Sequence, residues 1–322
     1  MSSSIHRRSV LGGMSAAAIM ALLRSNYAAA LQPQDALALA TRQSVTALIP
    51  NRLYRIGCTV PAERLSWLAA DIPGGFEPLN AYLLLDQQNA VFIDMGAPIM
   101  LPAIREAIDT VVGSRRAWAS YTRNEADCIG NMGWILGSCP NPTLLFGGAG
   151  GILEWINDPA VSIIEVRDFL GRVPIVESRN GTTNRIGELS IEWLDAGLKQ
   201  MLMTQWAFEP SSGCLFTSDA FGFRHLRSAD QSMIVETARR LPAPQTVARE
   251  LVARMHWMRG ASYPDVLARF ETIFAERDVQ MIAPVHGCII RGRAAVRAHV
   301  RLMLEAMRLA SEIPSEEETR YV

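Results

Sequence analysis

Lysine is almost absent from this chain. Of its 31 Lys and Arg residues only Lys199 is a lysine, a bias that arginine-rich codon usage explains without any recognition role. A surplus of positive charge is absent too. The 322 residues carry a formal charge of −1, so no basic stripe exists to track a phosphate backbone and no nucleic-acid partner is expected. The five cysteines (Cys58, Cys128, Cys139, Cys214, Cys288) contain no CxxC pair. That spacing excludes a zinc ribbon and a thioredoxin-like site, and the odd number leaves at least one thiol outside any disulfide. No apolar run approaches the roughly 20 residues that span a bilayer. What the chain does have is 49% hydrophobic against 20% charged residues, enough for a large core. A disordered chain, a collagen-like fibre and a small disulfide-stapled module are thereby excluded.

The first thirty residues read as a leader. Arg7 and Arg8 precede a mild apolar run from Met14 to Leu23, followed by Arg24 and the small residues Ala28, Ala29 and Ala30. Paired arginines, a short stretch of low hydrophobicity and a small-residue cleavage point are the parts of an export signal of the twin-arginine type. The rival reading is an Ala-rich amphipathic helix of a cytoplasmic protein. Cleavage after residue 30 removes three arginines and no acid, so the net charge of −1 becomes −4. The expectation is a periplasmic protein of residues 31–322, with no membrane segment after cleavage. An oxidising compartment makes an unpaired thiol more consequential.

Along the mature chain, Ala36 to Leu48 has helical spacing, with Asp35 as cap and Pro50 as stop. Strands are expected at Leu53–Thr59, and at Ala81–Leu85 and Ala90–Asp94 around the polar turn Asp86–Asn89. Helical spacing returns at Pro102–Val112. A strand at Ala117–Thr122 then leads into a helix at Glu125–Leu136 that ends at Gly137. Strand, helix and strand recur at Thr143–Phe146, Ile152–Ile156 and Val161–Val166. A second β block covers Val173–Asp219, with an alternating strand at Ile186–Leu194 and a short one at Cys214–Thr217. Residues 228–277 read as helical, Val279–Ala283 as a strand and Arg293–Leu309 as a terminal helix before the acidic segment Ser315–Thr319. Two β-rich halves bordered by helices, with no Pro/Gly/Ser linker, point to one α+β unit: a four-layer αββα sandwich.

Chemistry-bearing residues gather at strand ends. The densest group is Thr122-Arg123-Asn124-Glu125-Ala126-Asp127-Cys128, two carboxylates and a thiol on one strand-to-helix turn. Such a turn aims its side chains into one cleft and suits a cation; acids in a first helical turn also satisfy free N–H groups. Asp219 follows the strand in Leu215–Gly222, and His286 follows another in Ile282-Ala-Pro-Val-His-Gly287. His225 follows Asp219 closely enough to line the same cleft. His256 and His299 fall in helical stretches and read as surface or structural. Trp118, Trp134, Trp155 and Trp206 read as packing residues before pocket walls.

Together these segments resemble the metallo-β-lactamase superfamily, and within it the di-iron oxygen-binding branch that includes the flavodiiron core domain. The resemblance spans residues 75–300. It begins with Asn80-Ala-Tyr-Leu-Leu and Val91-Phe-Ile-Asp94-Met-Gly, and continues through Thr122–Gly130, which matches that branch's His-x-Glu-x-Asp-His-x-Gly. Leu215–Gly222 matches Leu-Phe-Ser-x-Asp-Ala-Phe-Gly, and Ile282–Gly287 matches Ile-Ala-Pro-x-His-Gly. The departures are at the histidines: Arg123 and Cys128 stand at two of them, and Gln200 stands near the position of a third.

The resemblance implies a first metal position made of Arg123, Glu125, Gln200 and Asp219. A guanidinium has no lone pair to give and repels a cation, so this position is expected to be lost, its space taken by Arg123 paired with Glu125 and Asp219. The second position would comprise Asp127, Cys128, Asp219 and His286. Counting Cys128 as thiolate, the pocket sums to −1 with one divalent ion and −3 without. The expected metal set is therefore Glu125, Asp127, Cys128, Asp219 and His286 around a single zinc or iron ion, or none.

Two functions follow. One is a mononuclear metal-dependent hydrolase in which Asp127 orients or deprotonates a water and Arg123 steadies an oxyanion. The other is a non-catalytic periplasmic binding or sensing protein that has lost its metal. Four-electron reduction of O₂ or NO is not expected from a site with room for one ion. A small-molecule ligand or substrate is the expected partner, with a homodimer through the terminal helix and acidic segment as an option.

Overall fold

The computed structural model describes residues 42–61, 75–147, 173–200, 203–223, 226–239 and 241–314. The leader 1–30, the candidate helix at 152–156, the candidate strand at 161–166, the acidic segment 315–319, Trp155 and His225 lie outside the described residues.

Among the described residues, two seven-stranded sheets form the centre. The first runs in chain order: β1 (Arg42–Ile49), β2 (Leu53–Pro61), β3 (Phe76–Leu85), β4 (Asn89–Ile93), β5 (Arg116–Ser120), β6 (Thr143–Phe146) and β7 (Ile175–Glu177). The second contains β8 (Thr183–Ile186), β9 (Leu189–Asp195), β10 (Gln205–Glu209), β11 (Cys214–Phe216), β12 (Ile234–Val235), β13 (Met281–Ala283) and β14 (Ile289–Arg291), in the spatial order β12-β14-β13-β11-β10-β9-β8. The described helices are α1 (Leu101–Ala107), α2 (Ala126–Ile129), α3 (Met132–Ser138), α4 (Pro244–Arg254), α5 (Pro264–Glu276) and α6 (Arg293–Glu312).

Period-two alternation sorts the strand residues into layers. In β3 and β4, Tyr82, Leu84, Val91 and Ile93 face the second sheet, where they meet Ile191, Trp193, Phe216 and Ala283. Their neighbours Ala81, Leu83, Ala90 and Phe92 face outward onto Ala103, Ile104 and Ala107 of α1 and Ile135 of α3. In the second sheet Trp206, Phe208, Leu215 and Ile282 turn the other way, onto Val247 and Leu251 of α4, Phe270 of α5 and Met303 of α6. Three apolar layers thus separate helix, sheet, sheet and helix, the expected αββα sandwich. Burial on both faces is why these strands read as nearly continuous apolar runs.

Four local expectations are corrected. Helical spacing at Ala36–Leu48 gives way, from Arg42 on, to edge strand β1, paired antiparallel with β2 from Arg42↔Thr59 to Ile49↔Leu53; its β-branched Val45 and Thr46 suit a pleat. The expected helix Glu125–Leu136 is two helices, because the Asn131 side chain donates to the carbonyls of Met95, Gly96 and Ala97 at 2.8–3.1 Å and anchors the chain there. Ile186–Leu194 is not one strand but the turn and second arm of the β8–β9 hairpin, with Gly187 at φ +57°. Residues 228–277 become helical only at Pro244; Ile234–Val235 instead adds β12 to the sheet, parallel to β14.

The topology brings functional loops together. Asp94, Thr122–Asp127, Asp219 and His286 follow the C-terminal ends of β4, β5, β11 and β13. Strands β4 and β5 are parallel, as are β11 and β13, so each pair delivers its loops to one edge. No helix among the described residues is long and apolar enough to cross a membrane.

Candidate functional site

Backbone pins fix the four loops before any charge interaction is counted. Tyr82 Oη and Asn80 Nδ2, from the first sheet, donate to Pro284 O at 2.6 and 2.9 Å, and Asn80 Nδ2 also reaches Gly287 O at 2.9 Å. Val285 N donates to Ser218 O at 2.8 Å, which locks the His286 loop to the Asp219 loop. Gly287 has φ +83°, and a Cβ there would stand 2.9–3.1 Å from the backbone of Gly222. Only glycine allows the two loops to close to this distance. Asp94, Ser218 and Phe221 all adopt positive φ without being glycine, strain gathered around one site. Asp94 repays its conformation by accepting from Thr122 N at 2.7 Å and from Thr122 Oγ1 at 3.0 Å. Its carboxyl is pushed up to about 7 by burial, against the pull of the Thr122 bonds and of Arg123.

Arg123 occupies the centre, with its side chain 2% exposed. Nε donates to Gln200 Oε1 at 3.1 Å and also lies 2.8 Å from Glu125 Oε2 and 2.9 Å from Asp219 Oδ2. Since Nε carries one hydrogen, the last two contacts are charge contacts rather than additional hydrogen bonds. Nη2 pairs with Asp127 Oδ2 and stands 3.4 Å from His286 Nε2, while Nη1 meets Cys128 Sγ at 3.2 Å. Burial opposes the guanidinium's charge, but Asp127, Asp219, Cys128 and Glu125 hold its pKa well above the usual value.

His286 is fixed from both ring nitrogens. Nε2 lies 2.6 Å from Asp127 Oδ2 and 3.5 Å from Asp219 Oδ1; Nδ1 lies 3.3 Å from Glu77 Oε1. Burial disfavours its protonation, yet Asp127 and Glu77 raise the pKa to about 9. Asp127 answers in the opposite sense: burial would raise it, but Arg123 and His286 hold it well below the usual carboxylate range. Glu77 also accepts from Arg254 Nη2 at 2.7 Å, and that guanidinium donates to Gly222 O at 3.2 Å. Arg123, Arg254 and protonated His286 thus face Glu77, Glu125, Asp127 and Asp219. The set sums to −1 with no added ion, where the sequence bookkeeping gives −3. Glu77 and Arg254 were not anticipated from sequence; the signal was Glu77, a lone acid in the otherwise uncharged strand β3.

The structure brings Asp127, Asp219 and His286 together, with one potential ligand atom from each lying within 4.8 Å of the others. This group includes neither Glu125 nor Cys128. Cys128 is fully buried where the outer apolar layer meets the cluster, its Sγ held by Arg123 Nη1 at 3.2 Å and by Thr122 Oγ1 at 3.8 Å; burial pushes its thiol well above the ordinary value, with Arg123 opposing. A dinuclear centre does not fit this donor set, because the guanidinium stands among the carboxylates that would bridge it. A single ion fits Asp127, Asp219 and His286 only with Nη2 of Arg123 displaced, since that nitrogen already faces Asp127 and His286. Of the tryptophans, Trp206 is buried in the helix-facing core, and half-buried Trp118 and Trp134 sit beneath Arg116 and Arg105. No disulfide joins the five cysteines.

No family model and no curated protein matches the chain. Solved structures do. A flavo-di-iron protein of Thermotoga maritima superposes with a TM-score of 0.60 at 15% identity, covering 85% of this chain and 63% of its own. Rubredoxin:oxygen oxidoreductase of Desulfovibrio gigas gives 0.56 at 14%, covering 82% and 62%. A fragment of a putative diflavin flavoprotein of Nostoc gives 0.57 at 14%, covering 84% of this chain and 98% of the fragment. The chain therefore has a metallo-β-lactamase-like fold. Its structural neighbours are flavodiiron proteins, and it spans less than two thirds of the length of the first two.

Proposed function

We propose that this is an exported ligand-binding or sensing protein on a flavodiiron-type frame, in which Arg123 takes the place of the first metal ion. The observation that carries the reading is the guanidinium's simultaneous contact with Glu125, Asp127 and Asp219. The chain supplies, from its own side chain, the positive charge for which these carboxylates would otherwise need an ion. Export rests on Arg7, Arg8 and the small residues that follow, and places the mature protein in the periplasm. A small-molecule ligand is the partner proposed for such a cleft, and a second copy pairing through α6 and the acidic sequence after it is part of the same proposal.

A second reading, a mononuclear hydrolase, is favoured by one observation. The Asp127, Asp219 and His286 donors lie close together, and Glu77 orients the far nitrogen of His286, as carboxylates do for metal-binding histidines. An ion there would supply a water of lowered pKa. Asp127 would hold the proton and Arg123 would face the developing oxyanion. Metal analysis of protein purified from its own host's periplasm separates the two. The first reading expects far less than one ion per chain. One zinc or iron per chain, lost in His286→Ala, supports the hydrolase, and two irons overturn both.

A further inference from the structure

A cavity of about 430 Å³ opens beside the cluster, and Gln200, which accepts from Arg123, forms part of its wall. Its other walls include Lys199, Trp257, and Val266 and Arg269 of α5. Trp257 lies in a short 3₁₀ turn after α4 and is 40% exposed. It is nonetheless fixed: Nε1 donates to Lys199 O at 2.8 Å, and Tyr263 meets the ring edge-on with centroids 5.6 Å apart. An exposed indole held through its nitrogen and by Tyr263 is a rigid aromatic surface, at little entropic cost to a flat ligand.

The charge on the wall is unbalanced. Lys199 Nζ and Arg269 Nη1 both pair with Asp195, one carboxylate between two cations. That leaves one positive charge beside the indole. The apolar part of the wall argues against a bare inorganic anion, which would leave Trp257 and Val266 without a partner, and the spare cation argues against a neutral ring. We infer that the cavity binds a small aromatic carboxylate, its ring stacked on Trp257 and its carboxylate drawn to the Lys199 and Arg269 pair beside Asp195. The volume suits one or two rings. The inference deepens the ligand-binding reading and rests on it for its purpose, while its geometry stands apart from the metal question.

The chain's single lysine makes the test specific. Reductive methylation with ¹³C-formaldehyde preserves the charge and gives one lysine resonance, that of Lys199, distinct from the α-amino group. Titrating 1-naphthoate into the labelled full chain should shift this resonance saturably. 1-Naphthamide, which lacks the charge, and cyclohexanecarboxylate, which lacks the aromatic face, should each bind at least about tenfold more weakly. Trp257→Ala should weaken 1-naphthoate by a similar factor. Exposed Arg269→Gln, which leaves the packing intact, should also weaken it. No saturable shift, equal binding of the amide, or unchanged affinity in Arg269→Gln would overturn the assignment. Failure here leaves the metal content as found, whereas a full equivalent of metal defeats the metal-free reading without moving the Lys199 resonance.

Discussion

Replacing Arg123 with alanine should convert a site that ignores metal into one that depends on it. The side chain is 2% exposed and touches Glu125, Asp127 and Asp219. Removing one partner from a buried charge set typically costs about 3–5 kcal/mol, because the remaining carboxylates stay desolvated without a counter-charge. For a domain of this size that corresponds to a fall in Tm of roughly 10 °C. The vacated space lies against the Asp127, Asp219 and His286 donors, which already lie within 4.8 Å of one another. Zinc at a thousand times its Kd would return about 4 kcal/mol, most of the loss. Thermal unfolding of both proteins, with chelator and with zinc, measures this directly. Wild type should show the same Tm in both conditions and Arg123→Ala should show a large difference. A variant that loses under about 1 kcal/mol, or a wild type that gains as much from zinc as the variant, would refute the substitution of guanidinium for ion.

Three further outcomes are expected. The Glu250 carboxyl is pushed up to about 8 by burial, which outweighs the opposing Arg254. Between the unfolded value of about 4.5 and 8 the folded chain holds a proton that the unfolded chain has released, so stability falls as pH rises through this window. Glu250→Gln should flatten that slope and raise Tm above pH 8, and an unchanged slope would remove Glu250 as its source. Gly287→Ala should cost about 2 kcal/mol or more in chemical denaturation, because φ is +83° and the added Cβ meets the Gly222 backbone; a neutral result would show that the two loops are not held at this distance. Arg7→Lys with Arg8→Lys should leave precursor in the cytoplasm on fractionation, and normal export would remove the twin-arginine assignment.

Much of the site was legible because its loops are contiguous in sequence. Thr122–Gly130, Leu215–Gly222 and Ile282–Gly287 each keep their residues within a few positions of a strand end, where short, nearly continuous apolar runs point to them. The hidden half is non-local. Glu77 and Arg254 are 177 positions apart, and neither stands out alone, yet their pairing supports His286 from behind. Cys128 shows a different limit. Its position on the turn was legible, but not that its Sγ would be held by Arg123 Nη1 while the residue packs in the apolar layer. Patterns also failed where two structures share a rhythm. The β8–β9 hairpin keeps strand-like alternation through its two-residue turn at Gly187, and Ala36–Leu48 has the spacing of a helix where tertiary pairing with β2 makes a strand from Arg42 on.

The most direct test of the account is anomalous diffraction from crystals soaked in iron and in zinc, read at the space between Glu125 and Asp219. The flat density of the Arg123 guanidinium should fill that space, with no anomalous peak. A peak bonded to both carboxylates, with the guanidinium swung toward solvent, would contradict it.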